Sequence, residues 1–406
     1  MQSYSQTTAN FTMTNASTYP LGASITLADL ADDPHPILHQ LRASEPVSWL
    51  PALDGWLVTR RDQAIEVMRD AKTYTVDHPG FSTARVVGPS MLSLDGDAHR
   101  RHRDPFERPF RRRAVQTRFS QIIAGYVTDL LDSFATKGRA ELRREFAGPI
   151  AVKTMIAALG LEGTSVAAVL SWYDAIVETV TRVTAGEPVS REGQAAYAAL
   201  RDHLLPVLRR PPDSSLLAAA SGMAEGLSDE QIVSNAAVLL FGGIETTEGM
   251  IANALYFLLT NPDVLRVVRT EPAALPAVIE ESLRLEPAAA VVDRYAVRDV
   301  QLGSAAIKAG ELVRVSLAGA NRDPATFDDP DRFDPFRSNL SSHVTFAQGP
   351  HVCLGLHLAR LEAHHALEGV LSRLPNLQLE ETETAAAAAR PRGLVFRKPA
   401  ALHVVW

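Results

Sequence analysis

The amino-acid sequence predicts a mainly α-helical protein with small β-sheets. Apolar residues recur at helical spacing along most of the 406 residues, and strand-like alternation is confined to short pieces. The composition, with 46% hydrophobic and 21% charged residues, is that of a globular chain. No sequence repeat with a period of about 20–50 residues is present, which argues against a solenoid.

The helical periodicity covers the chain from residue 34 onward. It places helices near 34–44, 61–71, 97–103, 114–135, 146–160, 165–184, 191–208, 229–260, 262–269, 276–285 and 354–373. Short strands are expected at 46–51, 55–59, 292–297, 300–302, 312–317 and 394–405. The helix at 229–260 is the longest, because a capping box of Ser228 and Gln231 starts it and Asn261-Pro262 stops it. Its length of roughly 48 Å would cross the whole molecule.

Charge and cysteine content limit the classes of function. The net charge of −7 disfavours nucleic-acid binding, yet residues 99–113 hold seven Arg against two acidic residues, which indicates a specific anionic partner or ligand. A single Cys excludes an internal disulfide and fits a reducing cytoplasm. The N-terminus lacks a signal-peptide pattern and the apolar stretch 236–244 is too short to span a bilayer, so no membrane anchor is expected.

Two adjacent glycines interrupt the longest helix. Gly242 and Gly243 each cost about 1 kcal/mol relative to Ala in a helix interior. Either they allow close helix packing, or they leave space where a flat or bulky group approaches the backbone. Glu245 and Thr246 follow directly, and a carboxylate beside a hydroxyl in a buried helix is suited to moving protons.

The single cysteine stands in FAQGPHVCLG, residues 346–355, directly before a predicted helix. Backbone N–H groups and the helix dipole at that N-terminus would stabilise a thiolate at Cys353. A nucleophile, a redox sensor, a metal ligand and a structural cysteine remain open alternatives. No recognised Cys–His protease or glutaminase pattern surrounds Cys353, and a zinc site would need about four ligands that the sequence does not supply.

This segment resembles the ligand loop of the cytochrome P450 family of heme-thiolate monooxygenases. Five positions match the family pattern, namely Phe346, Gly349, His351, Cys353 and Gly355, and Ala347 stands where the family usually has Gly. The resemblance implies a cytochrome P450 fold, with heme b (iron protoporphyrin IX) between the long central helix and the Cys-ligand loop. It also implies that Cys353 is the ligand of the iron.

Other segments resemble the family in the same order along the chain. GGIETT, residues 242–247, resembles the oxygen-activation motif, which implies a catalytic proton relay of Glu245 and Thr246. EESLRLEP supplies a Glu-x-x-Arg pair and PDRF follows it, so the resemblance implies a buried structural network of Glu281, Arg284 and Arg332. The implied cofactor-binding residues are His99, Arg103, Arg294 and His351 for the heme propionates, with Phe346, Gly349 and Gly355 in the loop.

The resemblance also implies which residues form the substrate pocket. They are Val238, Phe241 and Gly242 on the long helix, Ala290 and Val292 after the Glu-x-x-Arg helix, and Leu394, Val395 and Phe396 at a hairpin tip. Residues 78–92 would form a loop over the site. The small apolar side chains at 288–292 indicate room for a bulky, largely hydrophobic substrate.

The function implied is that of a soluble bacterial-type monooxygenase with one catalytic domain, residues 30–406, after an N-terminal tail, residues 1–29. It would insert one oxygen atom of O2 into a hydrophobic secondary metabolite such as a terpenoid, polyketide or aromatic compound, by hydroxylation or epoxidation. Electrons from NAD(P)H would arrive through a ferredoxin or flavodoxin with its reductase, docking near the Arg-rich segment 100–113. The alternatives are peroxide-driven oxidation or oxidative aromatic coupling at the same heme, and a non-catalytic heme or gas-binding protein.

Overall fold

Helices account for most of the chain in the computed structural model, which describes residues 17–213, 215–223 and 226–406. α-Helices span Pro20–Ser24, Leu27–Ala31, His35–Ser44, Arg61–Arg69, Ser82–Val87, Gly96–Glu107, Arg112–Phe134, Gly148–Leu159, Val166–Thr184, Arg191–Leu208, Leu216–Met223, Asp229–Thr260, Pro262–Thr270, Leu275–Leu285, Leu317–Ala320, Leu356–Arg373 and Glu383–Ala389. A π-helical turn, Arg143–Ala147, leads into the helix that begins at Gly148.

The strands are short and form small sheets. A five-stranded sheet has the spatial order Val47–Leu50, Gly55–Val58, Leu312–Ser316, Val291–Ala296 and Tyr74–Thr75. Its neighbours are antiparallel except Gly55–Val58 and Leu312–Ser316, which run parallel with Gly55 opposite Leu312. Smaller sheets join Arg139–Glu141, His403–Val405 and Gln378–Leu379, then Val300–Leu302 with Ala305–Ile307, and Pro391–Arg392 with Lys398–Pro399.

The long helix, Asp229–Thr260, runs through the core as the sequence predicts. The hydroxyl of Ser228 accepts from the N–H of Gln231, whose side-chain oxygen accepts from the N–H of Ser228, so the predicted capping box forms. Its side chains are buried on nearly all faces, because it packs against the helices Gly148–Leu159, Leu275–Leu285 and Leu356–Arg373. The middle of this helix is thereby fixed beside the segment that holds Cys353.

The predicted fold class is confirmed, while some elements differ from the prediction. The strand expected at 394–405 is wrong as one element: Lys398–Pro399 pairs with Pro391–Arg392, whereas His403–Val405 joins another sheet. Pro399 has no N–H to donate, so the first pairing ends there. The helices Ser82–Val87 and Leu216–Met223 were not predicted, because such short segments give too few turns for a periodic pattern.

Residues before 30 also contribute to the fold. Tyr19 packs edge-on against Trp56, with 5.2 Å between ring centroids. The N–H groups of Leu21 and Gly22 donate to the carboxylate of Glu45 at 2.9 and 3.0 Å. Part of the segment 1–29, expected to be a tail, therefore packs against the rest of the fold; residues 1–16 lie outside the described part. Within the described ranges, no helix is long and apolar enough to cross a bilayer.

Candidate active site

Residues 346–355, called the ligand loop below, are held in a tight turn. The N–H of Cys353 donates to the carbonyl oxygen of Phe346 at 2.8 Å. Gly349 has a φ of +76°, and a Cβ there would lie 2.5 Å from the carbonyl oxygen of Met68, so only glycine fits. Ala347 also has a positive φ, +59°. The departure from the expected Gly therefore places an L-residue in the left-handed region.

The side chain of Cys353 is half-buried and faces a cavity beneath the long helix. Burial raises the pKa of the Cys353 thiol, and the N–H groups of Gly355 and Leu356, together with Arg103, only partly offset this effect. The N–H groups at the helix N-terminus favour the thiolate, as expected from sequence, but burial of the sulfur outweighs them. A metal cation bound to the sulfur would stabilise the thiolate form.

The long helix forms the opposite wall of this cavity. Gly242, Gly243, Thr246 and Met250 line it at helical spacing. A Cβ on Gly242 would meet nothing within 4 Å, whereas a Cβ on Gly243 would collide with the side chain of Met155. One glycine therefore gives clearance beside the cavity, and its neighbour permits close helix packing. The Thr246 hydroxyl donates to the carbonyl oxygen of Gly242 at 2.5 Å, at the cavity wall.

Glu245 is buried but does not line the cavity. Its carboxylate accepts a hydrogen bond from the Tyr173 hydroxyl and pairs with Nζ of Lys398 at 2.9 Å. Glu248, one turn further along the helix, also pairs with Lys398, at 2.5 Å. The structure thus brings Thr246 to the cavity and places Glu245 behind it, in an ion-pair cluster that sequence reasoning missed.

Basic side chains expected to meet the heme propionates border one side of the cavity. Arg103 and His351 line it, and Arg103 donates to the carbonyl oxygen of Val352 at 2.8 Å. The ring of His99 lies beside that of His351, with 4.3 Å between centroids. Nε2 of His99 is buried and has no hydrogen-bond partner within the described part of the chain. This orphaned ring nitrogen indicates that a polar group of a ligand belongs there.

Asp95 organises these side chains and was missed from sequence. Its carboxylate accepts from the hydroxyl of Thr75 at 2.6 Å and the N–H of Val76 at 2.9 Å, and lies 2.8 Å from Nε2 of His351. Burial alone would raise the pKa of Asp95, but these hydrogen bonds hold it well below its usual range. Arg294, the remaining expected cation, is 4% exposed and is not part of the cavity wall.

The cavity residues fit a thiolate-ligated heme. The thiol of Cys353 faces the space, the basic side chains of Arg103 and His351 stand to one side, and the glycine at 242 leaves clearance opposite. Anionic propionates would give the orphaned Nε2 of His99 a partner. Apart from Arg103, His351, Cys353 and Glu362, no described residue of the wall carries an ionisable side chain. No group of three His, Cys, Asp or Glu residues able to hold another metal occurs in the described ranges.

The Glu-x-x-Arg pair lies in a fully buried network. Arg284 donates to both carboxylate oxygens of Glu281 at 2.7 Å, and neither side chain is exposed. The third member is Arg337, whose Nε donates to Glu281 at 3.0 Å. Arg332, assigned to this place from sequence, is wrong: its side chain is 65% exposed and pairs with Asp334. Its backbone carbonyl alone reaches the network, accepting from Arg284 and Arg337.

The expected substrate-pocket residues divide into two groups. Val238, Gly242 and Val292 line the cavity with Cys353. Five others do not: Ala290 and Leu394 border a separate small pocket, and Phe241, Val395 and Phe396 line neither. The ring of Phe396 packs edge-on against Phe241 at 5.4 Å, so this pair joins the hairpin to the long helix instead of bounding the cavity.

Glu362, on the helix after the ligand loop, is a further cavity residue that sequence reasoning missed. It is 2% exposed, and its Oε1 has no hydrogen-bond partner within the described residues. Burial raises the pKa of Glu362 well above its usual value, with a smaller opposing effect of Thr154. Burial at this position therefore favours the protonated, neutral form of the carboxyl group. A Glu in an amphipathic helix gives no sequence signal of this kind.

The mainly helical fold and the free thiol facing the cavity are the features of a heme-thiolate protein. The profile of the family described as Cytochrome P450 matches residues 212–404. Cytochrome P450 107B1 from Saccharopolyspora erythraea is 34% identical over 378 residues, which cover 86% of this chain and 89% of that protein. The mycinamicin IV hydroxylase/epoxidase of Micromonospora griseorubida is 34% identical over 384 residues, covering 90% and 94%.

Solved structures agree with the sequence relatives. The structure of cytochrome P450 CYP109Q5 from Chondromyces apiculatus superposes with a TM-score of 0.84 at 28% identity, covering 95% of this chain and 98% of that one. The chain therefore belongs to the cytochrome P450 family. It is a heme-thiolate oxidoreductase of the monooxygenase type, and its bacterial relatives include hydroxylases and epoxidases of secondary metabolites.

Proposed function

We propose that this monooxygenase hydroxylates or epoxidises a bulky hydrophobic secondary metabolite of the terpenoid, polyketide or aromatic class. The supporting observation is the cavity wall facing Cys353, which is apolar from Val238 and Leu239 to Ala288, Ala289 and Val292. A charged substrate would lose hydration there without gaining a partner. The name of the relative mycinamicin IV hydroxylase/epoxidase agrees with oxidation of a secondary metabolite.

The residues of the ligand loop and its neighbours would hold the cofactor. Cys353 would bind the heme iron, in the turn shaped by Phe346, Gly349 and Gly355. The propionates would be bound by His99, Arg103, Arg294 and His351, the last held in place by Asp95. Bound heme supplies oxygen activation, which a thiolate ligand promotes by favouring O–O cleavage.

Thr246 and Glu245 would deliver protons to the cavity. The Thr246 hydroxyl is at the wall, so it can hand a proton to a group inside. Glu245 directly precedes it and is buried, and desolvation raises the pKa of its carboxyl, with Lys398 opposing. This upward shift moves the carboxyl in the direction that a group exchanging protons in a relay requires.

Electrons would come from NAD(P)H through a ferredoxin or flavodoxin and its reductase, in the cytoplasm. Arg112, of the Arg-rich segment, borders a groove with His357, Arg360 and His364 of the helix that follows Cys353. Arg111, Arg112 and Arg113 are exposed. A cationic surface on the thiolate side suits an acidic electron donor, because opposite potentials steer association.

The proposal is tested by spectral titration and turnover with one compound panel. Wild-type protein is titrated with macrolides, terpenoids, aromatic compounds and charged analogues, and binding is read from the spin-state change of the heme. We expect hydrophobic compounds to bind and to gain one oxygen atom from labelled O2 when ferredoxin, reductase and NADPH are supplied. Binding of charged analogues alone, or turnover with peroxide only, would refute the proposal.

Cys353→Ala is the matched control for the cofactor. Wild-type protein should give the red-shifted Soret band of a thiolate–heme–CO complex, and the variant should lose it. His357→Ala, in the outer groove four residues away, should keep the band. Retention of the red-shifted band by the Cys353 variant would contradict the ligand assignment.

A further inference from the structure

Four charged side chains from three segments meet behind the cavity wall. Glu245 and Glu248 come from the long helix, and Arg143 comes from the π-helical turn. Lys398 comes from the C-terminal hairpin, which is formed by the paired strands Pro391–Arg392 and Lys398–Pro399. Nζ of Lys398 lies 2.9 Å from Oε1 of Glu245 and 2.5 Å from Oε2 of Glu248. Nε of Arg143 lies 2.9 Å from the other oxygen of Glu248. Lys398 therefore bridges the two carboxylates, while Glu248 alone has a second cationic partner in Arg143.

The position of Lys398 is fixed by close backbone packing. Gly249 faces the hairpin, and a Cβ on Gly249 would lie 3.4 Å from the Cβ of Lys398. The side-chain amide of Asn253 donates to the carbonyl oxygen of Arg397 at 3.1 Å, and the N–H of Arg397 donates to the carbonyl of Ala288 at 2.8 Å. The lysine stem thus lies directly against the long helix, one turn from Glu245.

Both oxygens of the Glu245 carboxylate are engaged. Oε1 meets Lys398, and Oε2 accepts from the hydroxyl of Tyr173, which belongs to the helix Val166–Thr184. Burial raises the pKa of Glu245, Lys398 lowers it, Glu248 raises it and Arg143 lowers it. The same charged groups act on Asp174, the residue after Tyr173. Burial and Glu248 raise the pKa of Asp174, while Lys398, Arg143 and Arg144 lower it.

We propose that Lys398 is a positioning residue for the proton relay. Its ion pair holds the Glu245 carboxylate away from Thr246, and the pair forms again after each proton transfer. This inference rests on the relay proposed above. When Glu245 takes a proton from solvent through the cluster, it loses its negative charge and its ion pair. Lys398 then remains paired with Glu248, and Glu245 is free to give the proton toward Thr246. The carboxylate that results is drawn back to Lys398.

The test compares Lys398→Met with Lys308→Met, which removes an exposed lysine paired with Asp299 at 2.8 Å. Protonation of Glu245 is followed as the infrared carbonyl band that is absent from Glu245→Gln. Loss of an opposite charge in contact shifts a carboxyl pKa by about 1–3 units, so the band of Lys398→Met should titrate higher by that amount. Lys308→Met and Lys398→Arg should titrate as wild type.

The second readout is the pH profile of product formed per NADPH consumed. The alkaline limb of this profile should move upward in Lys398→Met by the same shift as the band, with the heme–CO spectrum unchanged as proof of folding. An unshifted band refutes the inference, and so does a shifted band with an unmoved profile. A different result would refute the proposed relay itself, namely a Glu245→Gln variant that forms as much product per NADPH consumed as wild type.

Discussion

Ala347 allows the backbone cost of a left-handed residue to be measured inside the ligand loop. Its φ of +59° costs an L-residue about 1–2 kcal/mol, which Ala347→Gly removes. The glycine in turn gives the unfolded chain about 0.4–1 kcal/mol of extra entropy. It also removes a half-buried methyl group, which costs roughly a further 0.4 kcal/mol. We expect Ala347→Gly to be more stable by about 0.5 kcal/mol.

The control is Ala387→Gly, an exposed position in the helix Glu383–Ala389. The same substitution there should destabilise by about 1 kcal/mol, because no backbone strain is relieved. The two variants should therefore differ by about 1.5 kcal/mol in urea unfolding of the heme-loaded protein, followed by tryptophan fluorescence. Equal losses at both positions would show that the φ of Ala347 carries no strain.

Two further predictions concern buried ion pairs. Arg337→Ala should destabilise by about 2–3 kcal/mol because it removes a charged hydrogen bond from the fully buried Glu281, whereas the exposed Arg332→Ala should change stability by less than about 0.5 kcal/mol. The reverse order of urea midpoints would contradict the network. Burial alone would raise the pKa of Glu286, but His35, Arg397 and Arg322 lower it from 4.5 to about 2. The ionised Glu286 therefore stabilises the folded state above pH 4.5, and this stabilisation is lost as the pH falls toward 2. Glu286→Gln should have a lower free energy of unfolding than wild type at pH 7, and the difference should shrink between pH 4.5 and 2. A difference that does not depend on pH would refute this prediction.

Local sequence determined much of the fold and the centre of the site. The capping box at Ser228 and Gln231 and the stop at Asn261-Pro262 act through neighbouring residues, so the bounds of the long helix were predicted correctly. Gly349 could be predicted as necessary for the loop because its positive φ is a local property of the backbone. The place of Cys353 before a helix followed from the same kind of signal.

Residues whose roles depend on distant partners could not be found in this way. Arg332 and Arg337 stand in one short segment, and only the folded backbone shows which guanidinium turns inward to Glu281. Lys398 reaches Glu245 across about 150 residues of sequence because Gly249 lets the hairpin approach. Glu245 itself was predicted as the acid beside Thr246, but its orientation away from the cavity is set by Lys398 and Tyr173.

The parallel pair in the five-stranded sheet has a consequence for biosynthesis. Gly55–Val58 emerges early from the ribosome, yet its neighbour Leu312–Ser316 is more than 250 residues downstream. At roughly 5–20 residues per second, the earlier strand waits on the order of 10–50 s with one edge unpaired. During that interval its antiparallel partner Val47–Leu50 is available, whereas its other edge is open to foreign strands. The open edge of Gly55–Val58 is thus a site at which the nascent chain can aggregate before its synthesis is complete.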